Sequence, residues 1–188
     1  MAWNELFEKM LPLVLCMTTF IGFSAPYIIK ILAAEKFWDA WIFICFGMSI
    51  EFFRITNNLI SLISHSEMKT KKAVFPYFLG GITSLILILI SAKSTNYQLY
   101  IPLSIIIGNI LVFILLNINM RKLIRIKYPF KRILLSLIIS FPFVLEFLLK
   151  NQYTSIISTL VILSIFSLYF IFAQLFLFKI GEKVNYVQ

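Results

Sequence analysis

The sequence predicts an all-α polytopic membrane protein, a bundle of six transmembrane helices, and three observations carry that prediction. Of 188 residues, 61% are hydrophobic and only 13% charged, where soluble domains run near 45–50% and 25%. Apolar runs of about 20 residues, enough to cross a bilayer, recur along the chain. Lysine and arginine gather in alternate connections between those runs. Because lipid offers the backbone no hydrogen bonds, a continuous apolar run must form a helix unless it belongs to a closed barrel.

The first run, Met10–Leu32, contains Pro12, Gly22 and Pro26. It is too long for a signal-peptide core and follows Glu5 and Glu8, so it reads as a retained span. The second, Trp41–Ser64, is long and apolar enough to cross but carries Glu51 and Arg54 near its middle. The third, Ala73–Ala92, opens with Pro76 and Gly80-Gly81. The fourth, Tyr97–Asn117, holds Pro102, Gly108 and Asn109. Gly80 with Ser84, and Ser104 with Gly108, are spaced as small residues are where two helices approach closely. The fifth, Ile133–Leu149, is the shortest and contains Pro142 and Glu146. The sixth, Thr154–Phe178, is nearly free of polar groups apart from Gln174. The prolines remove intrahelical bonds and favour kinks. Residues 1–188 are expected to form a single transmembrane domain, since no polar stretch is long enough to fold apart from the spans.

Orientation follows from charge. Twelve basic residues lie on one side, in the 66–72 and 118–132 connections and at the two ends, against Lys36, Lys93 and Lys150 on the other. By the positive-inside rule both termini are cytoplasmic and the chain crosses six times. Trp38, Trp41, Tyr97 and Tyr100 sit where an interfacial aromatic belt belongs. Lys30 is placed to snorkel, and Glu146 to reach the outer interface or pair with Lys150. The net charge of +9 serves topology; no soluble scaffold supports a phosphate-reading patch, so nucleic acid is excluded as a partner.

The second run carries the candidate site. At about 100° per residue, Glu51, Arg54, Asn58, Ser61 and His65 share one face, with Asn57 at its edge. Phe46, Ile50, Phe53, Ile60 and Ile63 lie opposite. A charge at the bilayer centre costs about 2.5–3.5 kcal/mol on insertion scales, so the polar stripe is expected to border a wet cavity or other helices. In one reading Arg54 attracts an anionic group through its guanidinium fork, with Glu51 or His65 titrating. In the other, Glu51 and Arg54 form an i,i+3 ion pair that fixes helix packing. Metal and catalytic sites are not expected: His65 is the single histidine, Cys16 and Cys45 lie in separate spans, and no hydrolase, zinc-protease or nucleotide-loop motif is present. No cofactor is implied.

The segment Ser24–Ala40, with Pro26, Ile28, Leu32 and Ala40 in a spaced pattern, and the following helix with Lys69-Thr70-Lys71 after it, resembles polysaccharide and O-antigen flippases of the multidrug, oligosaccharidyl-lipid and polysaccharide exporter superfamily. The resemblance spans about Met10–Arg121 and departs from the family at Ala33–Phe37, where a small residue commonly precedes the aromatic. It implies half of a MATE-like two-bundle transporter, the C-terminal part of a 12- to 14-helix protein of the bacterial inner membrane. The implied activity, part of lipopolysaccharide or capsule assembly, is translocation of an isoprenoid-linked oligosaccharide, an O-antigen or capsule repeat unit, by alternating access. The missing N-terminal half or a second copy would complete it. Arg54 is the residue carried over as a cationic cavity contact, and flipping requires no catalytic residue. A membrane-embedded enzyme of glycan assembly and a non-transporting subunit are the alternatives.

Overall fold

The computed structural model describes residues 2–124, 126–148 and 155–183. Among them the elements are helical, without strands: α1 (Ala2–Leu32), a short 3-10 helix (Glu35–Ala40), α2 (Trp41–Ser66), α3 (Lys71–Ser91), α4 (Tyr97–Arg121), α5 (Phe130–Leu148) and α6 (Ile156–Lys183). Within α1, α3, α4 and α6 the stretches Trp3–Leu32, Lys71–Ser91, Tyr97–Arg121 and Ile156–Gly181 are long and apolar enough to cross a membrane. α2 and α5 are interrupted by charge, at Glu51 and Arg54 and at Lys131, Arg132 and Glu146.

Each of the six expected runs is helical over its described part, apart from Ala92 and Ser155 at the edges of the third and sixth. The helices extend beyond the apolar runs, because a helix ends where its backbone partners end rather than where its side chains turn polar. α1 thus starts eight residues before Met10, and α4 runs on to Arg121. Leu149, Lys150 and Thr154, at the expected edges of the last two spans, and Arg125 lie outside the described residues. α2 stops at a left-handed residue, Met68 (φ 53°). The Lys69 amide bonds back to Ser64 O at 2.9 Å and the Met68 amide to His65 O at 3.2 Å, a helix stop usually built on glycine.

The chain packs as two compact units, Met1–Asn4 with Ser49–Lys127, and Glu5–Met48 with Tyr128–Gln188. The first holds the C-terminal part of α2 with α3 and α4. Here the two small-residue spacings meet each other. A Cβ on Gly80 would run into Val112 and stand 2.9 Å from Gly108 O; one on Gly108 would strike Ser84 and stand 2.8 Å from Gly80 O. The two backbones therefore touch. Ser91 and Ser104 join by their hydroxyls at 3.1 Å, and Asn119 Nδ2 donates to Lys72 O at 3.0 Å.

The second unit contains most of α1, the start of α2, α5 and α6. Cys16, Phe20, Phe143, Ala173 and Leu177 form its core, with Phe20 stacked on Phe170 at 4.5 Å and tilted against Phe143 at 5.1 Å. Polar side chains reach across to backbone carbonyls: Ser136 to Pro12 O at 2.7 Å, Tyr169 to Ile139 O at 2.7 Å, and Gln174 Nε2 to Leu13 O at 3.1 Å. Such bonds are one glue available to helices when lipid is as apolar as the helix surface.

The helices run through their prolines, and at Pro12, Pro26 and Pro76 the carbonyl that loses an amide partner is answered from another helix. A proline frees the carbonyl four residues earlier. Pro12 frees Glu8 O, which accepts from Arg132 Nη1 at 3.3 Å. Pro26 frees Gly22 O, which lies 3.0 Å from Cys45 Sγ. Pro76 frees Lys72 O, which takes the Asn119 amide. This predicts a coupled pair. Asn119→Leu should destabilise the protein by about 1 kcal/mol, and by markedly less in a Pro76→Ala background, where the backbone amide restored at that position can bond Lys72 O. Detergent unfolding of the four proteins in a double-mutant cycle checks it.

Candidate functional site

The polar face of α2 divides at its middle. From Thr56 onward α2 has buried residues, among them Thr56, Asn57, Ile60, Ser61, Ile63 and Ser64; from Trp41 to Ile55 none is fully buried. The charged pair stands in the open half. Arg54 Nη2 meets Glu51 Oε1 at 2.6 Å and Arg54 Nε donates to Oε2 at 2.7 Å, a bidentate fork. Their side chains remain 62% and 32% exposed. Each ion neutralises its neighbour, while the guanidinium stays accessible to a further anion.

The remaining sequence-predicted residues take different positions. Asn57 is buried and donates through Nδ2 to Asn109 O at 3.1 Å, tying α2 to α4. Asn58 is exposed, and its Oδ1 accepts from Tyr77 OH at 3.2 Å. Ser61 is buried and turns its hydroxyl to Asn58 O at 2.8 Å. His65 is exposed at the last turn. Ser61 and His65, with Thr70, Ala73, Val74, Tyr77 and Phe78, line a largely apolar groove of about 420 Å³. Glu51, Arg54, Asn58 and His65 thus form the accessible part of the stripe, and Asn57 and Ser61 its packed side. Of the apolar face, Ile60 and Ile63 are fully buried, whereas Phe46, Ile50 and Phe53 are half-buried.

One residue departs from its expected place. Glu146 does not reach an interface: it is 0% exposed. Its Oε2 accepts from Ser24 Oγ at 2.8 Å, and its backbone carbonyl accepts from Tyr27 OH at 2.7 Å. Ser24 and Tyr27 are themselves fully buried. Glu146 Oε1 is buried without a hydrogen-bond partner among the described residues. Lys150, the expected partner, lies outside the described residues. A signal was present in the sequence, since Ser136, Ser140, Phe143 and Glu146 recur at helical spacing and all four are buried.

Other expectations concern packing. Lys30 carries its ammonium over the Trp38 ring, 5.7 Å from the centroid, and Trp41 packs edge-on against Phe147 at 5.4 Å. Tyr97 and Tyr100 are exposed. Neither Cys16 nor Cys45 forms a disulfide. Among the described residues no group of three or more His, Cys, Asp or Glu side chains is placed to hold a metal.

Among the described residues, fold and composition define a helical protein with four helices long and apolar enough to cross a membrane. No family model, curated protein or solved structure matches it.

Proposed function

We propose that this chain is the C-terminal part of a flippase that moves an isoprenoid-linked oligosaccharide, such as an O-antigen or capsule repeat unit, across the bacterial inner membrane. In this reading α2 and α5 cross the bilayer with the other four helices, both termini are cytoplasmic, and the bundle is half of a MATE-like transporter. The missing N-terminal half, or a second copy, supplies the other wall of the passage. The observation that carries the reading is the exposed Glu51–Arg54 pair. Arg54 is thirteen residues into α2 and twelve from its end, so about 18–20 Å of helix separates it from either terminus. No arginine can snorkel that far. A guanidinium exposed at that depth requires water or protein beside it, and a water-filled passage for an anionic headgroup meets the requirement.

The test uses the chain together with its complementing half in a glycan-export assay at matched expression. Arg54→Ala is expected to lower export about tenfold or more, the cost of one charge-assisted contact. Arg54→Lys should retain part of it, since a point charge replaces the fork. Full export by both variants removes Arg54 from the path. Single cysteines at positions 54 and 58, in a chain lacking Cys16 and Cys45, should react with a membrane-impermeant maleimide. Sealing of both sites in every state would remove the passage.

A further inference from the structure

A second polar site lies in the other unit, at Glu146, and it needs neither Arg54 nor the transport reading. A carboxyl group carries two oxygens, and in this site they are treated differently. Oε2 is held by the Ser24 hydroxyl at 2.8 Å. Tyr27 spends its hydroxyl on the Glu146 main-chain carbonyl, 2.7 Å away, which fixes the α1–α5 register without touching the carboxyl. Oε1 is buried with nothing bonded to it among the described residues. Phe147, the next residue along the helix, packs edge-on against both Phe23 and Trp41. An uncompensated carboxylate in such a place costs far more than the single hydroxyl bond returns. The open oxygen therefore needs a positive charge.

Few residues here can provide one. On α1 the nearest cation along the helix is Lys30, one turn beyond Tyr27, whose ammonium lies over the Trp38 ring. The start of α2 contributes Trp41 and Cys45, with Cys45 Sγ beside Gly22 O at 3.0 Å. Lys150, four residues on in the sequence, lies outside the described residues. Arg132 is paired with Glu8, 3.4 Å apart. Arg132 stands fourteen residues before Glu146 on α5, about 21 Å along the helix.

We propose that Ser24 and Glu146 form a proton-binding site, in which Glu146 Oε1 takes up and releases one proton while Oε2 stays anchored to Ser24. The step is a simple exchange. The O–H bond forms at Oε1, the carboxylate charge is neutralised, and the reverse step returns the proton to water. Tyr27 ties the α5 backbone to α1 at the same residue through the Glu146 carbonyl.

A hydrophobic carbodiimide provides the probe, because it adds to a protonated carboxyl in an apolar setting and leaves a stable N-acylurea. The full chain in bilayer vesicles would be treated with dicyclohexylcarbodiimide across about pH 5–9 and mapped by peptide mass spectrometry. The expected result is modification at Glu146, falling about tenfold per pH unit at the alkaline end as the protonated fraction falls. Glu51, held in its fork with Arg54, should stay unmodified. Glu146→Gln removes the label and, keeping the Ser24 bond, should leave thermal unfolding nearly unchanged. Should that variant misfold, the wild-type pH profile still decides. Absence of label at Glu146 while a carboxyl in a reference membrane protein reacts would overturn the site. So would label that does not vary with pH, which would mark a permanently neutral, structural acid. Protection by sodium chloride relative to choline chloride at fixed pH would replace the proton by a sodium ion and overturn the assignment.

Discussion

Gly108→Leu is expected to be the most damaging single substitution in the unit built from α2, α3 and α4. A Cβ at position 108 strikes the Ser84 side chain and lies 2.8 Å from the Gly80 carbonyl. Serine can rotate away, but a backbone oxygen can move only with its helix. Overpacking usually costs about 1–3 kcal/mol, and a clash with backbone belongs at or beyond the upper end. Parting α3 from α4 would also pull apart Ser91 from Ser104 and Asn119 from Lys72 O. Gly81→Leu is the control. Nothing lies within 4 Å of a Cβ there, and leucine is the better helix former by up to about 1 kcal/mol. Unfolding of both variants in a detergent titration, followed by circular dichroism, should show a large loss at 108 and none at 81. Equal behaviour would refute the close crossing.

Arg132→Ala should produce the largest loss in the other unit. The guanidinium joins three helices: Nη1 donates to Glu8 O on α1, Nη2 to Ile180 O on α6 at 3.1 Å, and Nε faces Glu8 Oε1 at 3.4 Å. Its side chain is 12% exposed. Truncation leaves Glu8 O, already deprived of an amide by Pro12, together with a partly buried carboxylate. About 2–4 kcal/mol is expected, less whatever water recovers at the exposed side of Glu8. Arg132→Lys should restore no more than part of it, because a point charge replaces the planar fork that reaches both helices. A Pro12→Ala change should reduce the penalty, since the restored amide can bond Glu8 O. Unfolding midpoints of the single and double variants would decide; an Arg132→Ala protein as stable as the parent removes the three-way link.

How much was legible in the chain depended on how far apart the partners lay. Glu51 and Arg54, three residues apart on one helix, could be paired on paper, and they are paired in space. The small residues at 80, 84, 104 and 108 announced a close approach through their spacing alone. That Gly80 and Gly108 face each other was a matter of register between two helices. The basic cluster at 118–132 reads as a topology signal throughout, yet Arg132 within it is turned into a bolt by the ends of α1 and α6. Glu146 was the instructive miss. Its place near the end of the helix pointed to the outer interface, whereas it is buried against Ser24, 122 positions away.

Composition and period by themselves determined that the chain is helical, where its helices run, and which turn of α2 carries charge. These follow from each residue's own solvation and from backbone geometry that repeats every 3.6 residues. The tertiary structure alone decided which polar groups are sealed in and which stay open: Asn57 against α4, Glu146 against Ser24, Arg54 accessible. Burial depends on what another segment brings to the same spot, and a helical period names a face without naming what will cover it.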